Sequence, residues 1–193
     1  MPGVDIVGQQ GAKMPHDWNV VVTLMPEGYG DAMRILSDFG DITKTAFRDV
    51  LVMRIELNAD EFQERVRELL VVDKTLANSV SRIVPVTARF SFSSSEEFRA
   101  KVQEAVRPWA GELAGKSFHV RMHRRGFHGE LRSQEEERAI GDFLLRLLGE
   151  HRGTRVVFED PDVVVAVETV GQEAGVSRWS RDELGRYELL RFD

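Results

Sequence analysis

The chain has 193 residues, no Cys, and 32 Asp+Glu against 26 Lys+Arg, for a formal net charge of −6, with 42% hydrophobic and 30% charged residues. That apolar content supports a packed core, with room for one large domain or two small ones. The missing Cys leaves no disulfide framework, thiol nucleophile, Cys-ligated zinc or iron–sulfur cluster. No run of ~18 apolar residues occurs, and Met1 to Asp17 lacks the basic-then-apolar order of a signal peptide, so a cytoplasmic protein is expected.

Residues 1–17, rich in Gly, Pro and polar side chains, read as a flexible tail. The apolar run from Trp18 to Leu24 suits a strand covered on both faces, ended by Pro26, Gly28 and Gly30. Tyr29, Met33, Leu36 and Phe39 recur at helical spacing, with Gly40 placed as a C-terminal cap. Two strands, Ile42–Phe47 and Val50–Leu57, follow and are joined through Arg48-Asp49 as a hairpin. Asn58 and Glu61 form a capping box before the helical stripe Phe62, Val66, Leu69 and Leu70. From Arg82 to Phe92, apolar and polar residues alternate with the period of a strand. The order β-α-β-β-α-β is the ferredoxin-like pattern, and we assign it to a domain over residues 18–80 closed by the following strand.

The second unit, residues 81–193, opens its first helix at Ser94 and Glu97, again at capping-box spacing, with Phe98, Val102, Ala105 and Val106 on one face. Pro108 stops or kinks that helix. Phe118, Val120 and Met122 then alternate with His119, Arg121 and His123, so the strand is expected to bury one face and present a basic one. After the loop 124–132, Ser133 with Glu136 should start a helix bearing Ile140, Phe143, Leu144, Leu147 and Leu148, capped by Gly149. Arg155–Phe158 and Val163–Val170 read as buried strands around the turn Glu159 to Asp162, and Gly175–Trp179 as a last one. The overall class is α+β, a ferredoxin-like unit followed by an α/β layer.

The charge is uneven. Residues 1–80 sum to −5, whereas Lys116 to Arg132 holds five Lys/Arg against one Glu, a net +4 before its three histidines are counted. Localised basicity of this kind suits an RNA backbone, because guanidinium groups grip phosphates bidentately and displace counterions. Glu135, Glu136 and Glu137 would repel a phosphate at the helix start, which favours the strand and loop as the binding surface. The alternative is a solvated basic edge that blunts strand pairing. A metal held by His119 and His123 fails on geometry, since they lie ~13 Å apart along a strand. Gly28-Tyr29-Gly30 lacks the third glycine of a nucleotide loop and is better read as a helix-opening turn. Glu159, Asp160, Asp162 and Glu168 have no neighbouring nucleophile, and Trp109, Trp179 and Tyr187 read as partly buried aromatics. Neither a cofactor nor a catalytic group is expected.

Three blocks carry a resemblance: Phe118-His-Val-Arg-Met-His-Arg-Arg-Gly126, Ser133-Gln-Glu-Glu-Glu-Arg-Ala-Ile-Gly141 and Pro161-Asp-Val-Val-Val-Ala-Val-Glu168. In this order, after Arg82-Ile-Val-Pro-Val86, they resemble the THUMP domain, an RNA-binding module of tRNA-modifying systems, over roughly residues 81–190. The resemblance implies a ferredoxin-like domain ahead of THUMP and binding of the tRNA acceptor end. It is to the stand-alone THUMP proteins, which act as adaptors to a separate acetyltransferase in tRNA cytidine acetylation. It implies Arg121, Arg124 and Arg125 as RNA contacts; Lys116, His128 and Arg132 join them on charge alone. The expected function is therefore a non-catalytic adaptor presenting the acceptor stem and 3′ end of tRNA to another enzyme. The alternative is a protein–protein interaction subunit without RNA contact.

Overall fold

The computed structural model describes residues 17–149 and 153–192, so the expected tail lies, save for Asp17, outside the described residues. Chain order begins with β1 (Val20–Leu24), α1 (Tyr29–Leu36), β2 (Gly40–Lys44), β3 (Val50–Ile55), α2 (Ala59–Val72), the short α3 (Thr75–Ser79) and β4 (Val80–Pro85). The four strands form an antiparallel sheet in the order β2-β3-β1-β4, the arrangement expected of a ferredoxin-like unit. β1 is apolar throughout because it is covered twice. Val20 and Val22 meet Phe62 and Val66 of α2 on one face, and Val21 packs with Val52, Val86 and Val170 on the other. Asn58 caps α2 by accepting from Glu61 N–H while Glu61 returns to the Asn58 N–H, closing the capping box.

Gly40 does not cap α1. The helix ends at Leu36, and Gly40 opens β2, where a Cβ would stand 2.1 Å from the Arg54 carbonyl oxygen; the residue is needed for close approach of two strands. The expected strand from Arg82 to Phe92 is in fact two. β4 ends at Pro85, Val86 N–H still bonds Asn19 in the first sheet, and Thr87 N–H bonds Val176 in the second. The passage between sheets therefore falls at Val86-Thr87, later than the division expected between residues 80 and 81, because β1 needs β4 to cover its second edge.

The second unit runs β5 (Ala88–Ser91), α4 (Ser95–Val106), a 3-10 turn at Arg107–Trp109 where Pro108 interrupts the helix, α5 (Ala110–Leu113) and β6 (Ser117–His123). It continues through α6 (Ser133–Leu148), β7 (Arg155–Val156), β8 (Val163–Val170), β9 (Glu173–Ser180) and α7 (Arg181–Arg186). Its sheet has the order β5-β9-β8-β6-β7, with β6 parallel to β7 and β8 and β9 antiparallel to its neighbours. α4 and α6 cover one face, setting Phe98, Val102, Ile140 and Leu144 against Phe118, Val120 and Met122 of β6 and alternate valines of β8. β8 is buried along its whole length, which is why Val163 to Val167 read as an apolar run.

Ser133 is not the cap of α6. Arg132 occupies that position without a side-chain hydrogen bond, since a guanidinium has no acceptor to offer, and Glu136 is turned inward, 1% exposed, and held by Arg99 through contacts of 2.6 and 3.0 Å. Leu147, expected in the apolar stripe, is exposed. Nor is Arg155–Phe158 a buried strand: only Arg155 and Val156 pair, and both are exposed. After α7 the chain returns to the first unit. Leu189 accepts from Ile83 N–H of β4 at 2.8 Å, while Tyr187 donates to Glu64 of α2 at 3.0 Å and Arg186 pairs with the same carboxylate. No helix among the described residues is long and apolar enough to cross a membrane.

Candidate nucleic-acid interface

β6 sends Phe118, Val120 and Met122 to the core, and strand alternation places His119, Arg121 and His123 on the opposite face. That face is not simply solvated. At its carboxyl end it meets Glu168 of β8, which is fully buried; Arg125 pairs with Glu168 at 2.5 Å and His123 Nδ1 lies 2.9 Å from it. Arg125 also reaches Thr23 of β1 at 3.0 Å, and Arg82 of β4 donates to His123 Nε2 at 2.8 Å. Arg82 can only donate, so Nε2 accepts and the Nδ1 proton points at Glu168. Burial by itself would raise the Glu168 carboxyl, but the His123 hydrogen bond and the charges of Arg125 and Arg82 outweigh it and hold the group below the usual carboxylate range. This cluster joins β1 and β4 of the first unit to β6 and β8 of the second. Gly126 lies beside it with φ +95°, where a Cβ would approach Gly171 Cα to 3.0 Å, so the turn after β6 closes only with glycine.

Midway along the strand the surroundings change. Arg121 donates from Nε to the Phe192 carbonyl at 2.8 Å, and its terminal amino groups have no hydrogen-bond acceptor among the described residues. His119 is buried, and its Nδ1 has no hydrogen-bond partner among the described residues. Burial, and then the adjacent Arg121 charge, lower the His119 pKa against smaller opposing pulls from Glu137 and the Val157 backbone. Phe158, in the loop after β7, is 77% exposed and stands edge-on to the His119 ring at a centroid distance of 4.9 Å. Two grooves meet at these three residues. One, of about 620 Å³, runs between β6 and the segment from α7 to Phe192; the other, of about 570 Å³, runs between the β6 edge and the outer face of α6.

The six expected RNA contacts do not gather at one point. Arg121 lies in the grooves. Arg124 and His128 are neighbours in the loop after β6, joined by a contact of 3.1 Å, with Arg124 also donating to the Gly126 carbonyl. Arg132 is exposed at the start of α6 and paired with Glu135. Lys116 is exposed at the other end of β6, roughly 25 Å of strand from the Arg124 loop. Arg125 departs from expectation: its side chain is 11% exposed, with Glu168 and Thr23 occupying its guanidinium, so it holds the units together rather than facing a ligand. Sequence reasoning missed Phe158, whose neighbours Val156 and Val157 made it look like part of a buried strand.

The fold and this site define a mixed α+β protein with a ferredoxin-like strand order followed by an α/β unit whose strand β6 borders two grooves lined by Arg121. Residues 92–178 match the THUMP domain model, and this part of the chain is a THUMP domain. No curated protein sequence matches the chain. Among solved structures, the fold is similar to PH1313 from Pyrococcus horikoshii Ot3, at 15% identity and a TM-score of 0.53, over 83% of this chain and 54% of that one. It is also similar to TrmN from Thermus thermophilus, at 23% identity and a TM-score of 0.51, over 84% of this chain and 45% of that one. A third structure, a 4-thiouridine synthetase in complex with RNA and ATP, aligns at 13% identity and a TM-score of 0.50, over 85% of this chain and 42% of that one. The chain spans about half the length of these proteins, and at such identities the likeness is one of fold. Because it extends well beyond residues 92–178, it takes in the first unit as well as the THUMP domain.

Proposed function

We propose that this chain is a non-catalytic, cytoplasmic tRNA-binding adaptor that brings the acceptor stem and 3′ end of tRNA to a separate modifying enzyme. An acetyltransferase is the enzyme class suggested by its resemblance to the stand-alone THUMP proteins. The observation that carries the reading is the THUMP domain at residues 92–178. It is supported by the fold likeness to TrmN and to a 4-thiouridine synthetase solved with RNA. In this reading Arg121, Arg124, His128 and Arg132 face the RNA, with Lys116 a more distant phosphate contact, and Arg125 fixes the platform on which they stand. The −5 of residues 1–80 suits a spacer or a protein-facing surface, and it is also what favours the second reading, a protein–protein interaction subunit.

The test is binding of tRNA across a salt series. Contact with three or four phosphates gives a slope of log affinity against log[salt] of roughly −2 to −4, in an affinity range of about 10⁻⁴ to 10⁻⁶ M for a module with few contacts. A flat dependence, or no binding at low salt, removes the adaptor reading in favour of the interaction subunit. A minihelix carrying its unpaired 3′ tail should bind more tightly than a blunt one, because single-stranded ends expose base faces and edges. Equal affinity withdraws the acceptor-end assignment.

A further inference from the structure

Phe158 is an exposed aromatic held in place rather than left loose. A single exposed apolar side chain is ordinary, but this ring leans on His119, adjoins Arg121, and stands where two grooves of about 620 and 570 Å³ join. Each groove is within the size range of small-ligand sites, on the scale of a nucleotide. The first groove carries three arginines against two acids, and the second two arginines against two acids. Asp160 is held by Arg181 at 2.8 Å and Glu188 lies 3.5 Å from Lys74, while Glu137 accepts from Met122 N–H at 2.8 Å. Arg121 keeps free terminal donors, and Arg138 on the rim of the second groove is exposed. Below the ring, His119 Nδ1 is a buried polar atom without a hydrogen-bond partner among the described residues, a feature that native interiors rarely leave unused. A flat apolar ring beside a guanidinium, between two cavities, fits a nucleobase on the ring and its phosphate on the cation.

We propose that Phe158 is the stacking platform for an unpaired base of the bound RNA and that Arg121 holds the adjoining phosphate, so that successive nucleotides of a single strand pass from one groove to the other. The inference rests on the RNA-binding reading above and adds the ring, the cation and the path of the strand.

The experiment compares the full chain with Phe158→Ala and Phe158→Trp against a fluorescently labelled minihelix with its 3′ tail and a blunt version. Stacking one base on an aromatic ring corresponds to a loss of roughly 5- to 150-fold when the ring is removed. Phe158→Ala should lose that much affinity for the tailed RNA and none for the blunt one, with the melting temperature unchanged because the ring is exposed. Phe158→Trp should keep the affinity. Its added indole is the exposed one, since Trp18, Trp109 and Trp179 are 1%, 8% and 2% exposed, so quenching on binding tailed RNA reports stacking at position 158. The proposal is overturned if Phe158→Ala binds tailed RNA like the unmodified chain, if it loses both RNAs equally, or if Phe158→Trp shows no quenching. It is also overturned if an acidic peptide occupies the grooves in a Phe158-dependent way while tailed RNA does not. Failure of the unmodified chain to bind either RNA removes the adaptor reading itself, whereas binding that ignores Phe158 removes only this inference.

Discussion

His119 and Arg121 stand on the same strand face as His123, and Arg125 follows two residues after the strand ends, yet the two pairs have opposite surroundings. His123 and Arg125 converge on a buried carboxylate, Glu168, and are closed in by Thr23 and Arg82 from the first unit. His119 and Arg121 lie opposite Val164 and Ala166 of β8, where His123 lies opposite Glu168, and beside them lie an exposed ring and two open grooves. A basic residue is thus either fixed in place or left with free donors according to what the neighbouring strand places opposite it. An ionised side chain that finds a carboxylate in a dry interior is immobilised by it; one that finds only backbone carbonyls and solvent keeps donors to offer.

The sharpest way to break this comparison is Glu168→Ala. It leaves Arg125 and Arg82 beside a buried site without its negative charge, and should destabilise the fold by about 3–5 kcal/mol, read by denaturant unfolding. Arg125→Ala should act in the same direction, leaving Glu168 with weaker compensation. If either variant melts like the unmodified chain, the cluster is not what joins the two sheets. Next in size is Arg121→Ala. It should weaken tRNA binding by about 1–3 kcal/mol, measured by anisotropy, and reduce folding stability by no more than about 1 kcal/mol for the lost bond to Phe192. A large stability loss with unchanged binding would move Arg121 to the same side of the comparison as Arg125.

The smallest effect concerns the returning C-terminal segment, which frames one groove. Hydrogen bonds from Arg186, and from Arg67 and Tyr187 to a lesser degree, hold the Glu64 carboxyl at about 2, below its ordinary 4.5. A carboxyl depressed on folding stabilises the native state above its unfolded value and loses that contribution as pH falls through its folded one. Acid should therefore loosen this segment between about pH 4.5 and 2, seen as amide exchange at Ile83 and Leu190. Glu64→Gln should remove that pH-dependent step. An identical acid profile for the two proteins would show that the segment is held by its apolar side chains alone.

Much of the architecture was legible because it follows from local patterns. Alternation along Phe118 to His123 identified both a strand and its buried face, and Asn58 with Glu61 marked a helix start through a bond pattern three residues long. Errors arose where a distant partner decided. Ser133 and Glu136 have capping-box spacing, but Arg99 draws Glu136 inward. Residues 82–92 keep one period across a strand break, because alternation persists when a chain changes sheets. Arg125 and Arg124 are adjacent and chemically identical, and only Glu168, far along the chain, separates their roles. Phe158 carried no signal of its own, since an exposed Phe and a buried one are the same letter.

What the sequence by itself determined is most of the longer elements, the α+β class and the concentration of positive charge between Lys116 and Arg132, all of which depend on residues within a few positions of one another. The tertiary structure alone decided which of those charges remain available. The pairing of Arg125 and His123 with Glu168, the opening of the grooves beside Arg121 and the exposure of Phe158 depend on contacts between elements tens of residues apart. The physical reason is that charge is a property of the residue, whereas desolvation and pairing are properties of the place to which the fold brings it.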